Sequence, residues 1–422
     1  MRSSLSDLFH GFAKIINSLI PKDDNSILFI PHKNCINDQY DIINYSSDNA
    51  LVVCHNLLTD STFDGHIFLV YYDKEKKEHY DVYLKQFKKN VDLIDGNNRL
   101  SMLKAFFRCK CCCTCHAHYD LSHKINKQKV ICLGYFSPFK DDYYEIKRKT
   151  NYEMNHIRKI INHSFSWHIV TSDICGRIIA CDTLLSFSKM ISLGFPRNDI
   201  FYKDNGEKRA AICKAVGVHA DIIICYTPTY RDYERLDLPL GDKNMINNRT
   251  LFGSVNHDEE LLLAKMLEEK NAVIIVKLHP WQEQSVIISN EISSRIFLFS
   301  KLQQKIIVSL YDILSISDCL ITDYTSTVFD YLHADKPILF YMYDYDKYMI
   351  NRGFSYNPIS SICCGPIAYD YYQLLYHLKK ILNGIDEYID KRMFVHALIN
   401  KYRDGNSYSR IQGLMFDEKN KF

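Results

Sequence analysis

The sequence predicts an α/β protein built on parallel sheets and divided into two or three domains. Short, wholly apolar runs such as Ser26–Pro31 (SILFIP), Ile222–Tyr226 (IIICY) and Ala272–Val276 alternate with segments of helical spacing, the pattern of strands covered on both faces. The chain has 422 residues, more than one ordinary core accommodates. The stretch Leu320–Tyr331 (LITDYTSTVFDY) reads as the end of a buried strand, a turn at Asp323 and Tyr324, and a helix start bearing Thr325 and Ser326. Hydroxyls at a helix start cap free backbone N–H groups, and the same N–H groups favour an anion. A turn at the carboxyl end of a parallel strand is also where such sheets bind ligands.

Composition narrows the function classes. Nearly half the residues are apolar (47%), and a net charge of +2 gives no global case for nucleic acid binding. The 15 cysteines are odd in number and lack the spacing of a small disulfide framework, so free thiols in a reducing cytosol are expected. No run of about 18 apolar residues predicts a membrane span, and Met1–Ile20 lacks the continuous apolar core of a secretory signal. That segment instead places Leu5, Leu8, Phe9, Phe12, Ile15, Ile16 and Leu19 at helical spacing. Packing on its own domain is the expected use of this helix. Contact with a membrane surface is the alternative, weakened by the few cations on the polar face.

Following Ser26–Pro31, strands are expected at Ala50–Cys54 and Ile67–Tyr71, a helix at Arg99–Phe107, and strands at Cys111–Cys115 and Lys129–Leu133. The run Cys109–His118 (CKCCCTCHAH) carries metal-ligand residue types. Consecutive strand residues point to opposite faces, however, so these cysteines read as small hydrophobes in a strand. The loop Gly134–Lys140 (GYFSPFK) follows, then a helix at Asn151–His163, a strand at Trp167–Thr171 and a mostly helical Asp173–Lys189. Met190–Asp199 (MISLGFPRND) gives a short strand and a turn, with Arg197 exposed after it to fork to a phosphate or to pair with Asp199.

The second half opens with a helix over Asn205–Val216 and the strand Ile222–Tyr226, which ends in TPTYRD. A polar excursion covers Lys243–Asn256. A helix over Asp258–Lys270 leads to Ala272–Val276, which ends in Lys277-Leu278-His279-Pro280. A helix over Ile306–Ser317, the stretch described first, a strand at Lys336–Tyr341 and helix from Tyr369 to about Tyr402 complete the pattern. Three strand ends thus bear Thr229 with Arg231, Lys277 with His279, and Thr325 with Ser326. In a parallel sheet they converge on one edge, and cations, imidazole and hydroxyls there suit a diphosphate ligand. Asp344-Tyr345-Asp346 imitates a metal-binding DxD motif but reads as a helix start, so neither a metal nor a cofactor is called for.

These motifs resemble the CDP-glycerol glycerophosphotransferases, the teichoic acid primases and polymerases with their capsule-synthesis relatives. The resemblance is densest over Leu310–Phe354 and extends to LGFPRND, YTPTYRD, VKLHP and Gly365-Pro366. It implies a GT-B fold of two Rossmann-like domains facing a cleft: an acceptor domain over 23–204 after the helix of 1–22, a nucleotide-donor domain over 205–403, and a polar tail over 404–422. It also implies that an acceptor hydroxyl attacks the β-phosphorus of CDP-glycerol and CMP leaves. The expected acceptor is a polysaccharide or lipid-linked glycan, reached from the cytoplasmic side of the membrane. By position, Arg197 reaches the donor, Pro228, Thr229 and Arg231 line its pocket, and Lys277, Leu278 and His279 meet its phosphates. His279 stabilises charge or protonates the leaving group. Thr325 and Ser326 hold the diphosphate, and Asp330 binds donor hydroxyls.

One departure stands out. The family carries WHGTPLK in its N-terminal domain, with the His as the expected base. Here the acceptor loop keeps Pro138 and Lys140 and has Ser137 for the Thr, but Tyr135 takes the place of the His. A phenol of pKa about 10 is a poor base at neutral pH. His55, His66 or His118 could replace it, the transition state could need little base, or the acceptor or transferred group could differ. CDP-ribitol or a sugar nucleotide as donor, and a non-catalytic donor-binding protein, are the competing readings.

Overall fold

The computed structural model describes residues 2–23, 25–31, 47–116, 119–134, 138–139, 150–229, 251–252, 257–278, 283, 293–351 and 353–416. The chain forms two units, one of residues 1–137, 145–202 and 399–422, the other of residues 138–144 and 203–398.

Unit 1 begins with helix α1 (Arg2–Leu19) and strand β1 (Ile27–Ile30). It continues through α2 (Asn49–Thr59), β2 (His66–Tyr71), α3 (Lys74–Leu84), β3 (Asn90–Asp95), α4 (Arg99–Arg108), β4 (Cys111–Thr114) and β5 (Lys129–Cys132). Then come α5 (Asn151–Ser164), β6 (Trp167–Val170), α6 (Asp173–Thr183) and β7 (Met190–Ser192). Every strand pairing is parallel, in the order β3-β2-β1-β4-β5-β6-β7. The period of two sorts the cysteines as a strand must. Cys111 and Cys113 face a core with Ile27, Phe29 and the α2 side chains, while Cys112 faces the opposite core with Leu28, Ile30 and Phe106.

Unit 2 contains α7 (Gly206–Val216), β8 (Ile222–Thr227), α8 (His257–Glu269), β9 (Ala272–Val276), β10 (Ile296–Leu298), α9 (Phe299–Gln303), α10 (Leu310–Ile316) and β11 (Cys319–Thr322). It closes with α11 (Thr327–Tyr331), β12 (Ile338–Tyr341), α12 (Tyr345–Asn351), β13 (Ile367–Ala368), α13 (Tyr371–Leu382) and α14 (Ile389–Ile399). Its sheet is also parallel, ordered β10-β9-β8-β11-β12-β13. Both sheets therefore run outward in two directions from a central pair, β1/β4 in one and β8/β11 in the other. The point where strand order reverses opens a crevice at the carboxyl ends of those two strands.

Four sequence expectations are corrected. Ala50–Cys54 lies in α2 and is no strand: Asp48 Oδ1 caps the helix by accepting from Ala50 N (2.7 Å) and Leu51 N (3.1 Å). Residues 49–54, 57 and 58 are all buried, so no polar face marks the helical period. The supposed polar tail holds α15 (Ser407–Phe416), which buries Ile411, Leu414 and Met415 in the unit 1 core. Asp199 receives its first amides, Ser407 N at 3.0 Å and Tyr408 N at 2.9 Å. The long helix expected from Tyr369 breaks at Asn383 and Gly384, where Gly384 takes φ +78°. Finally, α1 packs on its own unit as expected, but through Ala13 and Asn17, while Phe12 and Leu19 of its apolar stripe are 62% and 77% exposed. Asn17 Nδ2 donates to His123 O (2.9 Å) and Gln128 Oε1 (2.7 Å), which fixes that rotation. Among the described residues no helix is long and apolar enough to cross a membrane.

Candidate functional site

In unit 2 the crevice between β8 and β11 is built by hydroxyls and one acid. Thr322 Oγ1 donates to Thr227 O (3.1 Å) across the paired strand ends. Asp323, 1% exposed, then spans the two loops that follow. Its carboxylate accepts from Thr229 N, at 2.9 Å to Oδ1 and 3.0 Å to Oδ2, and from Tyr324 N. Pro228 and Thr229 are thereby held beside the Thr325-Ser326 turn, and all four remain partly accessible. Ser326 occupies the N-cap of α11 without a side-chain capping bond, so its hydroxyl is not spent on the helix. Thr325 Oγ1 lies 3.1 Å from Thr327 Oγ1. The helix spans only Thr327–Tyr331, too short for much dipole, so hydroxyls and backbone amides are what this turn offers an anion.

Lys277 follows β9, next to β8 in the sheet. Its amide donates to Tyr226 O (2.9 Å) and its ammonium to Leu278 O (3.2 Å), with Nζ 5.7 Å from the Phe299 ring centroid. Leu278 is buried in the unit 2 core, so its side chain serves packing. Asp330 is buried on α11 and accepts from Tyr311 OH (2.6 Å). Tyr324 OH donates to Asp344 Oδ1 (3.0 Å), and the Tyr324 ring stacks on Tyr348 at 3.9 Å. Asp344 thus sits immediately before α12 with its carboxylate engaged by a tyrosine. Among the described residues no group of three or more His, Cys, Asp or Glu is placed to hold a metal.

Pro138 and Phe139 belong to unit 2, although β5, which leads to them, belongs to unit 1. Phe139 is buried against Phe329 of α11 (5.4 Å between centroids) and Phe354 (6.1 Å), and its carbonyl accepts from Ser355 N (3.1 Å).

In unit 1 the start of α2 gathers three strand ends. Asn49 Nδ2 donates to Leu133 O (3.2 Å) and Gly134 O (3.0 Å), and Asn49 Oδ1 accepts from Arg197 N (3.1 Å). The Cys115 thiol contacts Asp48 Oδ1 at 3.4 Å. Arg197, expected on the surface, is 5% exposed, with its guanidinium 5.2 Å from the Phe195 ring centroid. Its alternative partner Asp199 is committed to the α15 amides. The backbone enters the next loop at Gly134 with φ +69°, and a Cβ there would meet Phe195 Cε1 at 2.4 Å and Ile169 O at 2.7 Å. Only glycine fits.

Tyr135, Ser137, Lys140, Arg231 and His279 lie outside the described residues, as do His118 and most of the polar excursion Lys243–Asn256. The sequence reading missed Asp323, taken only as a turn former, and the Asp48-Asn49 pair. Asp-Asn directly before an apolar run is an N-cap signal that would point to a helix here.

The model of the CDP-glycerol:poly(glycerophosphate) glycerophosphotransferase family matches residues 16–417. The chain is 28% identical over 334 residues to the teichoic acid glycerol-phosphate primase of Bacillus subtilis (strain 168), covering 76% of this chain and 78% of that protein. It is 30% identical over 236 residues to the teichoic acid glycerol-phosphate transferase of Staphylococcus aureus (strain NCTC 8325 / PS 47), 55% of each. Among solved structures, the wall teichoic acid polymerase TagF superposes with a TM-score of 0.69 at 19% identity, over 98% of this chain and 94% of that one. At that identity the likeness speaks for the fold, which is GT-B-like.

Proposed function

The chain belongs to the CDP-glycerol:poly(glycerophosphate) glycerophosphotransferase family, and from that premise we propose that it moves glycerol phosphate from CDP-glycerol to a hydroxyl of a teichoic-acid-like acceptor, releasing CMP. The observation that carries this reading is the unit 2 crevice, where Asp323 holds the Thr229 loop beside the Thr325-Ser326 turn. Phosphoryl transfer is mostly positioning and electrostatic stabilisation of spreading negative charge. In this reading Thr325, Ser326 and the amides of their turn bind the diphosphate, and Lys277 adds a cation. Pro228, Thr229 and Arg231 line the pocket. Leu278 contributes backbone, and Asp330 is oriented by Tyr311. His279 neutralises or protonates the departing CMP. Arg197 is a donor contact in this reading, and Ser137, Pro138 and Lys140 form the acceptor loop. The test is CMP release from CDP-glycerol with and without a glycerol-phosphate-terminated acceptor, with CDP-ribitol as the competing donor. Acceptor-dependent release lost in His279→Ala supports the reading. Release from CDP-ribitol alone overturns the choice of donor.

The outward stripe of α1 fits a place on the inner membrane surface. Phe12, Ile15 and Leu19 are exposed together. Lys14 of this helix is a cation close enough to Lys124 to join burial and Lys189 in lowering the Lys124 ammonium below its ordinary pKa. An exposed apolar stripe on a helix that carries a cation suits anionic headgroups.

A further inference from the structure

The row of strand ends in unit 2 continues past Lys277 to a group of the opposite charge. The sheet order β10-β9-β8-β11 sets four carboxyl ends side by side. Leu298 pairs with Val276, Val276 with Tyr226, and Tyr226 with Ile321. Two residues on from that level come Ser300, Leu278, Pro228 and Asp323. Ser300 is thus three strands from Asp323, roughly 14 Å at the usual strand spacing. It is the second residue of α9, and its hydroxyl donates to Glu283 Oε1. Both side chains are partly accessible. The preceding residue, Phe299, is the one whose ring centroid lies 5.7 Å from Lys277 Nζ. Burial raises the Glu283 carboxyl above its ordinary pKa, and the charges of Lys277 and Lys301 pull against that rise.

A carboxylate in this place works against a phosphate. Lys277 and the hydroxyls and amides of the Thr325-Ser326 turn suit anions, whereas Glu283 repels them and accepts from N–H or O–H donors. The bond from Ser300 uses one of the roughly four lone-pair sites of the carboxylate, so acceptor capacity remains. A ligand that satisfies the whole row is anionic at the β11 end and presents a donor at the β10 end. In an extended cytidine diphosphate the ribose lies in the middle, and the base is the end remote from the phosphates. Cytosine carries an N4 amine there, which donates. Uracil carries O4 in the same position, which accepts and would face the carboxylate as acceptor against acceptor.

We propose that Glu283 selects the nucleobase of the donor: its carboxylate accepts from the N4 amine of cytosine, and Ser300 is the positioning residue that holds the carboxylate in place. The inference rests on the donor reading of the unit 2 crevice and names what makes that crevice specific for cytidine.

The experiment titrates the full chain with CDP and with UDP by calorimetry, and repeats both titrations with Glu283→Gln, Glu283→Ala and Ser300→Ala. Wild type is expected to bind CDP roughly tenfold to a hundredfold more tightly than UDP. The amide of Glu283→Gln offers both a donor and an acceptor, so the ratio should fall to within about threefold. Ser300→Ala should lower the ratio severalfold by weakening CDP binding. A merely structural role would leave this ratio where it is. Equal binding of CDP and UDP by wild type, or a preference that survives in both Glu283 variants, overturns the assignment. So does unfolding of all three variants, or a lower melting temperature with the ratio unchanged, either of which would make Glu283 and Ser300 a packing pair. Absence of CDP binding by wild type would instead remove the donor reading, and with it this inference, before any variant is compared.

Discussion

Asp323→Ala removes the carboxylate that ties the Thr229 loop to the turn after β11. Two backbone amides lose a charged acceptor: Thr229 N, bonded at 2.9 and 3.0 Å, and Tyr324 N. Thr229 is partly accessible, so water replaces its partner at small cost. Tyr324 is buried, and its orphaned amide costs about 1–3 kcal/mol. For a unit of about 200 residues, each kcal/mol shifts Tm by roughly 2–4 °C. A fall of roughly 4–8 °C is therefore expected from about 2 kcal/mol. The released Pro228-Thr229 segment must then be ordered by the ligand. Fixing two residues costs about 2–3 kcal/mol, which predicts CDP-glycerol binding weakened roughly 30–150-fold. Asp323→Asn keeps one oxygen for both amides and should show less than half of each effect in free energy. Calorimetric titration with CDP-glycerol and a thermal melt measure both. An Asp323→Ala protein that binds CDP-glycerol within threefold of wild type would show that the tie does not shape the donor site, whatever happens to Tm.

Three further outcomes are expected. Phe139→Ala should destabilise the protein by about 3–5 kcal/mol through lost packing on Phe329 and Phe354, with Phe139→Leu recovering most of it in a denaturant titration. His168 has its pKa pushed down to about 4 by burial, from an ordinary 6.5. The unfolded chain therefore binds a proton that the folded chain refuses between those values. Stability is full above about pH 6.5 and falls on acidification toward 4 by about 1–3 kcal/mol, a limb that His168→Leu should abolish in melts across that range. Phe12→Asp with Leu19→Asp should cut co-sedimentation with anionic phospholipid vesicles at least tenfold and leave donor binding intact, and unchanged sedimentation would remove the membrane reading.

The sheets were legible because their strands are apolar on both faces, a signal that survives without any partner. The elements that escaped lacked such a signal. β3 is a partly exposed strand with polar Asn90, Asp92 and Asp95. β10 is three residues long. α15 opens with Ser407, Tyr408, Ser409 and Arg410, which hide the buried Ile411, Leu414 and Met415 behind a polar start. At the site, the residue types at strand ends were readable from order alone. Which of them would be buried was not. Arg197 follows a turn and looks exposed, yet it is buried, and its amide is held by Asn49, 148 positions earlier. Asp323 likewise looks like a turn former until Thr229, 94 positions away, is seen to donate to it.

The departure at GYFSPFK is best understood from Gly134 rather than from Tyr135. The family pattern places a tryptophan where this chain has Gly134. Here that position has φ +69° and no room for even a Cβ between Phe195 and Ile169. The Gly134 carbonyl that leads into the loop is fixed by Asn49. A histidine restored by Tyr135→His would follow this chain's own backbone path from Gly134. Restoring it should accordingly not raise transfer above the wild-type rate, whereas a site still laid out on the family's plan would gain from it. CMP release by the Tyr135→His variant separates the two. A severalfold gain would mean that the loop kept the family's geometry and lost only its base.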